Sequence, residues 1–309
     1  MIQNSGAVSQ QFLTNLDLLQ QQMAQTQQQI SSGSKISQAS DAPNAVGDVL
    51  QLESDLGRVN QVTSNLNLVS GQVNSAESAL ETATSLLDQV SSIASQGAGT
   101  TATAASRATF SQQIGQILTS LVGVSQTQFN GAYVFGGDQQ TAPSYQVDFS
   151  NPNGVDRLVT TQSTALIQDA SGITFAVSKT AQNIFDNRNP DDTFASNNIF
   201  AAVNSLRVAL ANNDSAGINA AIGSLQTAQG YLSQQLAFYG GVQNQISNAQ
   251  DVAQKFQLQD QTAIGNLKDT DVAAASVAMT QQQTTYQAAI EAESAMPKSS
   301  LFDYLTSGS

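Results

Sequence analysis

The sequence predicts a mainly α fold with a small β insertion. It predicts a long antiparallel helical bundle or coiled coil formed by the N- and C-terminal halves, with a β-rich domain at the far end. Two observations carry this. Apolar residues recur at alternating three- and four-residue spacings in both halves of the chain, the mark of a helix seam. Between the halves, from about residue 131 to 196, the spacing changes to alternation by two, broken by Gly, Pro and Asn. The chain thus leaves along long helices and returns along long helices.

The first seam is Phe12, Leu16, Leu19, Met23 and Ile30, with Thr26 filling the remaining slot. No Gly or Pro interrupts residues 7 to 32; Ser31, Ser32 and Gly33 then stop the helix. Asp41 is placed to cap a second helix, with Pro43 in its first turn, where a missing N–H costs nothing. Its seam runs Val49, Leu52, Leu56, Val59, then Val62, Leu66, Val69, Val73, Ala76, Leu80, Ala83, Leu87, Val90 and Ala94. The alternation fails once, between Val59 and Val62, where two threes follow each other; this predicts a stammer, a local overwinding. The helix is on the order of 70 Å long at about 1.5 Å per residue.

Gln96 to Ala105 is small and rich in Gly, Thr and Ala, and reads as a loop. Phe110, Ile114, Ile117, Leu121 and Val124 mark the next helix, which ends before Asn130-Gly131. Strands are expected at Tyr133–Phe135, Tyr145–Phe149, Leu158–Thr161 and Ile173–Val177, with a turn at Asn151–Gly154. Helix returns with Ile199, Val203, Leu206 and Leu210. It continues after Asn212-Asn213-Asp214 with Ile218, Ile222, Leu225, Leu232, Leu236, Val242, Ile246, Ala253 and Phe256. Gly240-Gly241 is a weak point in that run. Asp269 and Asp271 are the candidate caps of a last helix, whose seam is Val272, Ala275, Met279, Gln282, Tyr286, Ala289, Glu293 and Met296, with Pro297 ending it. Three parts follow: terminal helices (1–42 with 266–309), a helical rod (43–130 with 197–265) and the β-rich insertion (131–196).

Composition narrows the function. Apolar residues make up 40%, enough for a core, and only 11% are charged. Polarity is carried by Gln, Ser, Asn and Thr, which solvate helix faces without repulsion between neighbouring copies. Net charge is −13 and no run of Lys or Arg exists, which argues against nucleic acid and an anionic membrane surface as partners. With no His and no Cys, the chain lacks a disulfide framework, a thiolate zinc site, a Ser-His-Asp triad and an HExxH site. No enzyme activity, cofactor or metal is therefore expected. No stretch of about 18 apolar residues is present, and Met1 to Gly6 have neither the basic nor the apolar part of a cleaved Sec signal. Gly136-Gly137-Asp138 lacks the Lys-Ser/Thr of a phosphate loop, and the acidic turns at Asp169–Gly172 and Asn189–Asp192 lack EF-hand spacing.

The narrow stripe from Phe12 to Ile30 is a pairing surface rather than the wide face of a globular core. Alone such a helix is marginal and needs a partner to be ordered.

Several elements, in register, resemble the flagellin superfamily. Ile30-Ser31-Ser32-Gly33-Ser34-Lys35-Ile36 is similar to the family's LSSGxRI element. Ser40-Asp41-Ala42-Pro43 resembles the SDDP of its hook-associated junction branch, although Ala42 replaces the second Asp. Asn130-Gly131-Ala132-Tyr133-Val134-Phe135-Gly136-Gly137 and Ser300-Leu301-Phe302-Asp303-Tyr304-Leu305 resemble that branch's NGxYxFxG and SLFDYL. The likeness covers about residues 8–137 and 197–305.

The resemblance implies a secreted subunit of the bacterial flagellum, exported unfolded by the type III pathway. Its ends would be disordered before assembly and form an inner tube afterwards. The implied partners are copies of itself, the hook-side junction protein, flagellin and an export chaperone. The implied assembly interface is Phe12, Leu16, Leu19, Met23, Ile30, Met279, Tyr286, Met296, Leu301, Phe302, Tyr304 and Leu305. A filament subunit is the alternative within the family, and a secreted adhesin or enzyme carried on the insertion is the alternative outside it.

Overall fold

Helix formation follows the seams. The computed structural model describes residues 3–38, 40–161 and 164–295, and the expected interface residues Met296, Leu301, Phe302, Tyr304 and Leu305 lie outside them. The helices are α1 (Gln3–Ser32), α2 (Pro43–Ala98), α3 (Ala104–Ser125), α4 (Ala181–Phe185), α5 (Ile199–Ala211), α6 (Ser215–Lys268) and α7 (Val272–Ala295). The strands are β1 (Gln128–Phe129), β2 (Ala132–Tyr133), β3 (Tyr145–Val147), β4 (Val155–Arg157), β5 (Leu166–Gln168) and β6 (Thr174–Ala176). They pair as three antiparallel two-stranded hairpins, β1-β2, β3-β4 and β5-β6.

The chain divides into two units. One holds the described residues of Met1–Gly57 and Gln257–Ser309, the other Arg58–Phe256.

In the second unit α2 and α6 run antiparallel. Gln229 Nε2 donates to Asp88 Oδ1 at 3.0 Å, Gln243 Nε2 to Asn74 Oδ1 at 3.0 Å and Gln250 Nε2 to Asn67 Oδ1 at 2.8 Å. As the α2 partner steps down the sequence, the α6 partner steps up by the same interval, always whole heptads. Gln243 also donates to Glu77. Inside this amide ladder the α2 seam is buried: Leu66, Val73, Ala76, Leu80, Ala83, Leu87, Val90 and Ala94 all lie within 1% of full burial.

The α6 seam is more regular than the sequence reading. Ile218, Ala221, Leu225, Ala228, Leu232, Gln235, Tyr239, Val242, Ile246, Ala249 and Ala253 are all buried, alternating threes and fours throughout. Gly240-Gly241 does not break the helix. A Cβ added at either would meet nothing, so both sit where the helix needs no side chain, between buried Tyr239 and Val242. Phe256, expected in the seam, is 37% exposed.

Helix α3 starts at Ala104, inside the expected loop, because Thr103 caps it by accepting from Ser106 N–H. It packs against α5, which Asn198 caps through Ala201 N–H. Arg107 ties this end together. Buried itself, it donates from Nε to Gly97 O at 2.8 Å, at the end of α2, and from Nη1 to Asn213 in the turn before α6 and to Ser215 at the start of α6.

The β segment differs from its expected outline. Val134 and Phe135 are buried in a turn rather than paired in a strand, and only Val155–Arg157, not Leu158–Thr161, pairs with β3. Val134 and Phe135 are apolar because they enter the core, not because they alternate on a sheet. Phe135 meets Phe185 edge-on at 5.8 Å and Tyr239 at 6.3 Å, while Phe200 stacks on Phe185 at 5.7 Å. The hairpins lie along the flank of the helices. Phe129 sits over Gly71 of α2, and the β5-β6 tip reaches Arg58 at the opposite end of the unit from Arg107's cluster.

A buried polar network anchors this segment. Asp186, fully buried, accepts from Arg188 Nε at 2.9 Å, Asn198 Nδ2 at 2.8 Å, Asn153 Nδ2 at 3.1 Å and Tyr145 Oη at 3.3 Å. Burial, then the nearby Asp186 charge, raises the Tyr145 phenol far above its ordinary value, so it stays a donor.

Candidate assembly interface

The terminal unit is organised around two chain breaks. Helix α1 ends at Ser32 and Gly33 follows with φ 69°, its N–H donating to Gln29 O at 2.9 Å. This left-handed stop suits Gly because no Cβ is crowded there. The segment after it bridges to the junction of α6 and α7. Lys35 N donates to Lys268 O at 2.6 Å and Thr270 N to Gly33 O at 2.9 Å, closing an antiparallel bridge at Ser34 and Asp269. Ser34 Oγ also donates to Lys268 O at 3.2 Å. Two stop signals distant in sequence thus meet backbone to backbone, and Lys268 Nζ pairs with Glu53 at 3.3 Å.

The three aspartates expected as caps take different places. Asp271 Oδ1 accepts from Ala273 and Ala274 N–H, both at 3.0 Å, at the start of α7. Asp41 instead turns back: its Oδ2 accepts from Ser37 and Gln38 N–H, both at 2.8 Å, and closes the turn before α2. Ala42 O takes the first bonds of α2, from Ala45 and Val46 N–H, so the chain reaches Pro43 one residue later than a cap at Asp41 requires. Asp269 belongs to the bridge, its own N–H donating to Gly265 O at 2.8 Å, and does not cap α7.

Beyond the bridge, α1 packs against α7. On α1 the half-buried positions are Phe12, Leu16, Leu19, Met23 and Ile30, with Thr26 buried. On α7 they are Met279, Gln282, Tyr286, Ala289 and Glu293, with Ala275 buried. Val272, expected to begin that seam, is 46% exposed. Gln20 Nε2 donates to Tyr286 Oη at 2.7 Å across the pair.

The seam is incomplete in two respects. Its large residues are half-buried, whereas the α2 seam from Leu66 to Ala94, Val69 apart, and the α6 seam from Ile218 to Ala253 are buried. Gln282 Oε1 is also buried without a hydrogen-bond partner, a state that costs about 1–3 kcal/mol. Leu13, Leu18, Val277 and Ile290, which lie off the seam, are exposed by 63%, 53%, 70% and 44%.

No group of three His, Cys, Asp or Glu able to hold a metal occurs among the described residues. The acidic turns use their carboxylates locally: Asp169 on Ser171 and Ile173, Asp191 on Thr193, Asp192 on Arg157 and Arg188. No helix among the described residues is long and apolar enough to cross a membrane.

Sequence reasoning missed the Ser34–Asp269 bridge and the Asp186 network. The spacing of polar residues carries no signal for either.

Residues 4–140 match the bacterial flagellin N-terminal helical region, and residues 198–305 match the bacterial flagellin C-terminal helical region. No curated protein matches the chain in sequence. Among solved structures, a flagellar hook-associated protein from Vibrio parahaemolyticus is similar with a TM-score of 0.64 and 18% identity, over 74% of this chain and 100% of that one. Flagellar hook-associated protein-3 from Legionella pneumophila is similar with a TM-score of 0.61 and 12% identity, over 71% and 98%. FlgL from Xanthomonas campestris follows with a TM-score of 0.58 and 12% identity, over 69% and 99%. At these identities the solved structures speak for the fold, while the two matched regions speak for descent. The chain belongs to the flagellin family.

Proposed function

We propose that this chain is a hook–filament junction adaptor of the bacterial flagellum. It is a secreted subunit that joins the hook-side junction protein to flagellin by ring or helical self-assembly. The observation that carries the reading is the α1–α7 seam, half-buried within one chain and flanked by exposed Leu13, Leu18, Val277 and Ile290. A pair of helices with apolar residues on and off the seam gains further burial by packing against other chains. In this reading residues 1–42 with 266–309 form the inner tube, 43–130 with 197–265 the rod, and 131–196 the outer surface.

The junction branch is favoured over a filament subunit by Ser40-Asp41-Ala42-Pro43 and by Leu301, Phe302, Tyr304 and Leu305 in the terminal SLFDYL. It is also favoured by the likeness to solved proteins described as hook-associated protein-3 and as FlgL. Its partners are copies of itself, the hook-side junction protein, flagellin and an export chaperone that takes the C-terminal segment. Deleting the gene in its host tests this. Hooks without filaments, with unpolymerised flagellin in the medium, are the expected result. Hooks that still bear long filaments overturn it.

A further inference from the structure

The α2 seam has one fault, the two successive three-residue steps from Leu56 to Val59 and from Val59 to Val62 meeting at Val59. Wherever a seam loses phase, the next knob rotates away from its hole and the helix pair loses contact. Val62, the first seam residue after the fault, is half-buried, between fully buried Val59 and Leu66.

At the fault lies a small apolar cluster separate from the main core: Val59, 1% exposed, Ala253, 0%, and Ala170, 5%, with Val62 against them. Ala170 comes from neither helix. It is at the tip of the β5-β6 hairpin, and its carbonyl accepts from Arg58 Nη1 at 3.3 Å.

The tip has a fixed shape. Asp169 Oδ1 accepts from Ser171 N–H at 2.9 Å, Ser171 Oγ at 2.7 Å and Ile173 N–H at 2.9 Å. Gly172 turns the chain with φ 93°, and its N–H donates to Asp169 O at 3.1 Å. Gln168 Nε2 donates to Gly172 O at 3.0 Å from the other side. A turn held by so many local bonds presents the Ala170 methyl and carbonyl without further ordering cost. The opposite face of the hairpin is in solvent, with Leu166 and Ile173 exposed by 65% and 64%.

We infer that the β5-β6 hairpin is a clasp. Its tip supplies, from a third segment, the apolar contact that the α2–α6 seam loses at its phase fault, and it holds the two helices closed at that end of the unit. The insertion therefore has a second task besides presenting an outer surface, and this task does not depend on the junction role.

Hydrogen exchange on the full chain tests the clasp. Ala170→Asp places a charge in the cluster, and Asp169→Ala removes the three bonds that Asp169 Oδ1 accepts at the tip while leaving Ala170 unchanged. Each variant is expected to speed exchange at residues 58–66 and 246–256 by about tenfold or more, while residues 80–94 keep their protection. Exchange within about twofold of the unsubstituted protein in both variants overturns the inference. So does a uniform rise along α2 and α6, since that reports global destabilisation instead of a local clasp.

Discussion

Leu16→Asp should abolish assembly while leaving the rod folded. Leu16 is half-buried against α7 in the single chain. Full burial of a Leu side chain contributes about 1.5–3 kcal/mol, so about 1 kcal/mol of it remains to be gained from neighbouring chains. The carboxylate reverses the sign of that gain, because burying even a neutral polar group unpaired costs about 2–7 kcal/mol. A net penalty of about 3 kcal/mol per subunit follows, and at 1.4 kcal/mol per tenfold the concentration needed for assembly rises more than about 100-fold. The rod gives the internal control. Leu66, Leu80 and Leu87 are 0% exposed and belong to the other unit, so the main thermal transition should keep its midpoint. Sedimentation of assembled against free protein, alongside a thermal melt and swimming of the complemented deletion strain, reads both parts. Assembly of Leu16→Asp at the unsubstituted protein's concentration refutes the interface. Loss of the main transition refutes the claim that the seam belongs to the terminal unit alone.

The other predictions follow from buried groups. Leu87→Ala should lower stability by about 2–5 kcal/mol in urea unfolding, because its 0% exposure leaves a cavity in the seam. Asp186→Ala removes the acceptor 2.9 Å from Arg188 Nε, leaving that cation only its Asp192 pair, and takes the shared acceptor from Asn153, Asn198 and Tyr145; it should cost about 3–5 kcal/mol, and a loss below about 1 kcal/mol would show that the network is not holding the insertion. Gly71→Ala would place a Cβ 2.5 Å from Phe129 Cζ and should cost about 1–3 kcal/mol, a penalty that Phe129→Ala in the same chain should relieve in a double-mutant cycle. Burial raises the Asp169 carboxyl, but the Ser171 hydroxyl and the backbone N–H groups of Ile173, Ser171 and Gly172 outweigh it and hold the pKa below the ordinary value. A depressed carboxyl stabilises above its unfolded value, about 4, and loses that contribution as pH falls through the folded value. Protection of residues 58–66 should therefore hold from neutral pH to about 4 and decline below it; an earlier decline, near pH 6, would point to another group.

The heptads were legible because they are repeated many times. The α2 seam could be read residue by residue from Leu66 to Ala94, since a large aliphatic side chain recurs at nearly every second slot. In α6 the same repeat was only half visible. Ala221, Ala228, Gln235 and Ala249 are seam residues whose types occur as often outside a core, and Tyr239 stands beside the weak point at Gly240-Gly241. The β segment was legible as a region and not as strands. Its strands are two or three residues long, too short for alternation to separate Tyr145–Val147, which pairs, from Val134-Phe135, which does not. Backbone bridges such as Ser34–Asp269 leave no trace in side-chain pattern. Of the interface, the spacing located the half-buried positions of α1 and α7. It could not say whether a half-filled seam is finished by the same chain or by another.

The contrast between the two units bears on that last question. Both contain antiparallel helix pairs with the same three-and-four repeat, yet the outcomes differ. In α2 and α6 most seam residues from Leu66 to Ala94 and from Ile218 to Ala253 reach full burial because α3, α5 and the hairpins cover what two helices alone leave open. A two-helix pair has only one inward line of side chains, and each large residue on it keeps an outer flank in water. That is the state of Phe12, Leu16, Leu19 and Met23 on α1 and of Met279 and Tyr286 on α7. The sequence does not compensate with larger seam residues: Thr26, Ala275, Gln282, Ala289 and Glu293 make this the poorer of the two seams. It also leaves Leu13, Leu18, Val277 and Ile290 in solvent, where a pair meant to stand alone would carry polar residues. A weak seam with apolar outer flanks is unfavourable for an isolated hairpin and favourable for a subunit whose missing third and fourth helices belong to its neighbours.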